Sequence, residues 1–296
     1  MEENTEMTEE AKQEKINWKI VRTRTCIRAG LIFLGVLGMQ VLAALLLGVF
    51  ASIIAFAQSG DSMEMVSRIN SFYNNMGTYT ILLSIICAVA SGIWCGILYY
   101  RSDWRVRPFD YRKAFPLSRV LLIAVTVSGS CVLISILLGM LQQLMPNAFS
   151  NYNQVMEAIS GGGMLLNIIY VVAIGPVSEE LIFRGALFDR FYLAFPFWTA
   201  NVLQALLFGI YHMNVIQGIY AFLLGMLLGM VRQMTGSIFA SIFSHMIFNA
   251  TSYGLTWLLG AAGKYAGVGL CVLLLFSAVA VFFGGRIIWK NCTKNI

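Results

Sequence analysis

The chain has 296 residues, 58% hydrophobic and only 11% charged, with a mean hydropathy of +0.76. Soluble globular domains carry about 25% charged residues, so an ordinary soluble domain is excluded, and the wealth of apolar surface excludes a disordered chain. The net charge of +6 comes from basic residues set between apolar runs, with no continuous patch, which speaks against nucleic acid as a partner.

The first 25 residues mix six Glu with Lys and Arg and precede no cleavage-type site. They are expected to form a cytoplasmic arm, residues 1–25, ahead of one transmembrane helical domain spanning 26–296. Apolar runs then predict eight helices at roughly 28–57, 78–100, 119–145, 164–190, 197–213, 215–231, 237–258 and 266–289. The fifth and sixth are short and nearly continuous, so one of them is expected to be tilted, broken or partly re-entrant. Runs of this length, rather than alternating strands, exclude a barrel. The predicted class is an all-α polytopic membrane protein of about eight transmembrane helices, with its active site inside the bundle.

Lys and Arg set the orientation. The tail, the second loop, the ends of the fourth, sixth and eighth runs hold 18 of the 20, and only Arg68 and Lys264 fall in the alternate loops. That bias places both termini in the cytoplasm, which requires an even number of spans. Six cysteines are present without a CxxC pair, and packing is the expected role for them. Gly92-x-x-x-Gly96 and Gly225-x-x-x-Gly229 fit close helix packing inside the chain.

Ionisable groups at membrane depth are costly and point to function. The fourth run contains Glu179, Glu180 and Arg184 within Gly-Pro-Val-Ser-Glu-Glu-Leu-Ile-Phe-Arg-Gly. His212 ends the fifth run, four residues after Phe208. The seventh carries His245, four residues before Asn249, and these are the chain's two histidines. At 1.5 Å per residue Glu179 lies about 16 Å from the inner end, His212 about 22 Å and His245 about 12 Å, depths that allow one shared site. Glu180 and Arg184 share a helix face in the favourable Glu-to-Arg order. Glu179, turned about 100° away, is the carboxylate left for chemistry. Pro176 removes a backbone bond just before the carboxylates and frees carbonyls near them. Each group has a plainer reading: the carboxylates as the end of a helix near the surface, His212 as an interfacial histidine, His245 and Asn249 as interhelical glue. Convergence from three helices favours a site.

A carboxylate and a neutral imidazole can together take a proton from water, while a second imidazole and an amide can donate to an oxyanion. That set suffices for peptide hydrolysis without a cofactor. Alternatively, Glu179, His212 and His245 could act as three ligands of a divalent metal such as zinc, although HExxH is absent. No GxSxG turn supports a serine nucleophile.

Glu179-Glu180-x-x-x-Arg184, Phe208-x-x-x-His212 and His245-x-x-x-Asn249 resemble, in order and spacing, the three motifs of the type II CAAX-protease and bacteriocin-processing family, often called CPBP or Abi. The family-like core would lie at about 164–258. The resemblance implies an intramembrane endopeptidase of the glutamic or metal-dependent type. In that family the residues matching Glu179 and His212 are taken to activate water and those matching His245 and Asn249 to hold the oxyanion; Glu180, Arg184 and Phe208 would support the site. It implies a membrane-embedded or lipid-anchored peptide substrate in a cell membrane, and the absence of extra domains resembles bacterial plasma-membrane members. A non-catalytic binding or bacteriocin-immunity protein on the same fold is the alternative. A transporter would be expected to show inverted repeats, and none is evident.

Overall fold

A computed structural model describes residues 18–58, 62–74, 76–101, 116–160 and 163–294. Among these residues all regular structure is helical. Ten helices follow in order: α1 (Trp18–Gln58), α2 (Ser62–Asn74), α3 (Met76–Tyr100), α4 (Leu117–Leu144), α5 (Ser150–Ser160), α6 (Met164–Ala194), α7 (Phe197–Tyr211), α8 (Val215–Thr235), α9 (Ile238–Ala262) and α10 (Ala266–Thr293). Most of the arm, the greater part of the basic second loop and Gly161–Gly162 lie outside the described residues.

Eight of the ten fall on the eight apolar runs. Six of them, α1, α3, α4, α6, α8 and α10, are long and apolar enough to cross a membrane. The protein is a multi-pass membrane protein. Helix α7 is apolar but has only 15 residues, so at 1.5 Å per residue it is about 22 Å long, short of a full crossing. Helix α9 has 25 residues, but Ser241, Ser244, His245, Asn249 and Thr251 dilute its hydropathy. Helix α1 starts at Trp18, about ten residues before its apolar run, and carries Arg22, Arg24 and Arg28 on its first turns. Short α2 and α5 occupy connections that carry no long apolar run.

Local chemistry sets the boundaries. Pro116 and Pro196 precede the first residues of α4 and α7, where a missing amide costs nothing. Asn214 and Ser237 cap α8 and α9 by accepting the amides of Gln217 and Ala240. Gly236 ends α8 at φ 67°, a left-handed cap that glycine adopts without strain.

Helix α6 is the centre of the bundle. Phe183 meets Phe33 of α1 edge-on. A Cβ on Gly92 of α3 would lie 3.3 Å from the Ser178 backbone, so α3 and α6 approach closely there. Gly225 of α8 lies against Ala205 and Phe208 of α7, and Gly229 lies against Asn201. Both small-residue pairs therefore pack within the chain. Glycines also set the α7–α8 hairpin, where a Cβ on Gly209 would meet the Gly218 carbonyl at 2.7 Å.

Candidate active site

Helix α6 changes register twice. It is α-helical over Met164–Ile168, Gly175–Glu180 and Phe188–Ala194, and π-helical over Ile169–Ile174 and Leu181–Leu187. Wide turns of this kind frequently occur at functional sites. The short middle segment, bounded by both, carries Pro176, Ser178, Glu179 and Glu180.

Glu180 and Arg184 are fully enclosed, with no accessible surface on either. Arg184 Nη1 donates to Glu180 Oε1 at 2.8 Å, as the i, i+4 spacing predicts. Burial of both rules out the plainer reading of Arg184 as a surface residue at a helix end. The same Glu180 oxygen lies 3.0 Å from His245 Nδ1 on α9. A carboxylate paired with arginine can only accept, so that imidazole nitrogen carries the proton. His245 Nε2 then faces Glu179 Oε2 at 3.6 Å, too long for a direct hydrogen bond. His245 thus stands between two adjacent carboxylates, anchored by one and facing the other. Glu179 keeps 14% of its side chain accessible and has no hydrogen-bond partner among the described residues.

His212 is the residue after the end of α7, and its Nδ1 lies 2.8 Å from the Phe208 carbonyl. A carbonyl only accepts, so Nδ1 is the protonated nitrogen and Nε2 of the neutral ring has a free lone pair. The turn beyond it places Met213 at φ 50°, which reverses the chain into α8. Phe208 joins the parts. Its ring lies 4.9 Å from the His212 ring and 5.7 Å from the His245 ring, both edge-on, and 4.5 Å from the Arg184 guanidinium carbon. Side chains from α6, α7 and α9 therefore converge on one buried phenylalanine. Asn249, one turn beyond His245, donates Nδ2 to the Val171 carbonyl of α6 at 2.7 Å.

Sequence reading did not single out several polar groups. Asp189 of α6 forms a buried ion pair with Arg232 of α8 at 3.1 Å, with the Tyr99 hydroxyl of α3 alongside. Asn201 and Gln204 of α7 donate to the carbonyls of Met226 and Gly225. An Asp at the end of an apolar run and two amides four residues or fewer apart were the available signals.

The three-ligand metal set is not assembled by this geometry. Among the described residues no group of three or more His, Cys, Asp or Glu side chains is placed to hold a metal ion, and no step below passes through one.

Beside the Glu179 segment runs an apolar groove of about 710 Å³ between α3 and α6. Its walls include Gly92, Gly96, Ile97, Val177, Ser178 and Leu181, and Arg101 lies at one end.

Residues 161–251 match the family described as type II CAAX prenyl endopeptidase Rce1-like. Over that stretch the chain is similar to the CAAX-protease family. The match spans Glu179, Glu180, Arg184, Phe208, His212, His245 and Asn249, and so covers α6, α7 and the first part of α9, whose side chains converge on the Phe208 ring. It supports an endopeptidase of the CAAX-protease kind. No curated protein and no solved structure matches the chain.

Proposed function

We propose that this protein is an intramembrane endopeptidase of the CAAX-protease kind that hydrolyses membrane-embedded or lipid-anchored peptides with water activated by Glu179 and His212. The observation that carries the reading is the contrast between neighbouring carboxylates. Glu180 is committed to Arg184 and His245, while Glu179 is partly accessible and faces an imidazole nitrogen without bonding to it.

In this mechanism Glu179 accepts a proton from water, and the lone pair of His212 Nε2 orients that water. The oxygen attacks the scissile carbonyl. The developing oxyanion is held by an N–H donated from His245 Nε2 and by the second N–H of Asn249. Collapse of the adduct breaks the C–N bond as Glu179 returns its proton to the departing amine. Arg184 and Phe208 keep the two imidazoles in place. The α3–α6 groove gives an apolar segment of substrate a route to Glu179 from the lipid side. The distribution of Lys and Arg supports cytoplasmic termini, in keeping with a bacterial plasma membrane as the location.

The test compares membranes from cells carrying wild type or Glu179→Gln by terminal-fragment proteomics. A fragment present only with wild type identifies activity and substrate together. Identical fragment sets, at equal amounts of folded protein, would refute the peptidase reading and favour a binding or immunity role.

A further inference from the structure

Asn249 is assigned above to the oxyanion, yet one of its two N–H groups is already used. Its Nδ2 donates to the Val171 carbonyl at 2.7 Å. The reason this carbonyl is available lies in the chain itself. In the first π segment of α6 the Gly175 amide bonds the Tyr170 carbonyl five residues back. Continued by one residue, that register would send the amide of residue 176 to Val171. Residue 176 is proline and has no amide. Val171 is thus the carbonyl that the register leaves open, and in apolar surroundings an open carbonyl needs a partner.

The bond has a geometric consequence. Helices α6 and α9 are tied at two places, Val171 to Asn249 and Glu180 to His245. The first tie lies before Glu179 and the second immediately after it. A segment held at one point can swivel about its axis, whereas one held at two has its rotation fixed. Register changes on either side make rotation the natural freedom of Gly175–Glu180. The Cβ position of Gly175 lies only 3.2 Å from the Tyr170 carbonyl and 3.8 Å from Glu179 Oε1, so the carboxylate folds back over the same turn.

The geometry points to Asn249 as a positioning residue that caps the carbonyl opened by Pro176 and thereby aims Glu179 at His245 Nε2. This role is separate from any contact with substrate. It rests on the peptidase reading only for its kinetic consequence.

The test is a double-mutant cycle with Asn249→Ala and Pro176→Ala. Alanine at 176 restores an amide, and Val171 then gains a backbone partner in either register: from residue 176 in the π register or residue 175 in the α register. Cleavage of an internally quenched peptide with a prenylated C-terminal cysteine motif is measured in detergent micelles, together with Tm. The expected result is that Asn249→Ala lowers Tm and kcat, with KM little changed. In the Pro176→Ala background its kcat penalty is expected to shrink by about tenfold or more, and its Tm penalty to shrink with it. Equal penalties in both backgrounds would overturn the proposal, because an oxyanion donor alone is indifferent to the amide at 176. A second measurement needs only the single variant. Hydrogen exchange of the amides in 175–182 should accelerate about tenfold or more in Asn249→Ala while those of α10 do not change, and unchanged exchange in 175–182 would also overturn it. If wild type does not cleave the peptide but the Tm coupling and exchange pattern hold, the choice of probe or the peptidase reading fails and the brace stands.

Discussion

The sharpest energetic contrast in the protein is between two consecutive residues, Glu179 and Glu180. Glu180 Oε1 accepts from Arg184 at 2.8 Å and lies 3.0 Å from His245 Nδ1. Among the described residues the Nε and Nη2 atoms of Arg184 have no hydrogen-bond partner, so Glu180 is the arginine's main compensation. Glu180→Leu strands a fully buried cation, which costs about 3–5 kcal/mol. The Phe208 face, 4.5 Å from the guanidinium carbon, still offers a cation–π contact of about 2 kcal/mol when desolvated, so the lower end of the range, about 3 kcal/mol, is expected. Glu179→Gln breaks no hydrogen bond and should change stability by less than about 0.5 kcal/mol. Replacing both charges in Glu180→Leu/Arg184→Met should return stability to within about 1 kcal/mol of wild type or above it. The double variant should still not cleave, because His245 has lost the acceptor that fixes its Nδ1 proton. Sodium dodecyl sulfate titration in mixed micelles, followed by fluorescence of the six tryptophans, reads all four proteins. If Glu180→Leu costs no more than Glu179→Gln, or if the double variant is less stable than Glu180→Leu, the assignment of Glu180 as the charge partner of Arg184 is wrong.

Three further outcomes are expected. Phe208→Ala removes the ring shared by Arg184, His212 and His245 and should destabilise by about 3–5 kcal/mol in the same titration; Phe208→Leu should cost less but still lower kcat, and a wild-type rate in the leucine variant would deny the ring its positioning role. Gly229→Ala drives a methyl group into Asn201, whose Oδ1 is held by Gln204 at 2.8 Å, and should cost about 1–3 kcal/mol. Gly254→Ala, where no atom lies within 4 Å of the added carbon, should be neutral or slightly stabilising; equal effects of the two would show that the α7–α8 contact is not close-packed. Arg232→Met leaves Asp189 as an unpaired buried carboxylate and should cost about 3–5 kcal/mol. Adding Asp189→Asn should recover at least half of that loss, and no recovery would refute the pair as its source.

The fold was legible to the extent that burial in lipid is a one-dimensional property. Apolar run length places a helix without knowledge of its neighbours, and each of the eight runs is occupied by a helix. The signal weakened where another constraint competed. Helix α9 is rich in Ser and Thr that satisfy themselves locally, as Ser244 does by donating to the Ala240 carbonyl at 2.7 Å, so its hydropathy understates how well it suits the bundle. Helix α1 extends back to Trp18 through three arginines, because charged side chains at a helix end can reach water while the backbone stays helical. Arg22 instead turns to the Ala194 carbonyl and the face of Phe195, at the end of α6.

The candidate site divides along a similar line. Contacts within one helix follow from spacing alone: Glu180 with Arg184, and His212 with the Phe208 carbonyl, are both four residues apart. Contacts between helices depend on rotation and depth, which no local pattern encodes. That is why spacing offered Glu180 one partner and the bundle gave it two, with His245 arriving from 65 residues away. Pro176 is the instructive intermediate case. Its sequence position alone predicts freed carbonyls near the carboxylates. Which carbonyl is freed depends on the π register, and its partner depends on α9, so Val171 and Asn249 become a pair only in three dimensions. A local defect in α6 is thus closed by a side chain from a distant helix, and the same closure sets the direction in which Glu179 points.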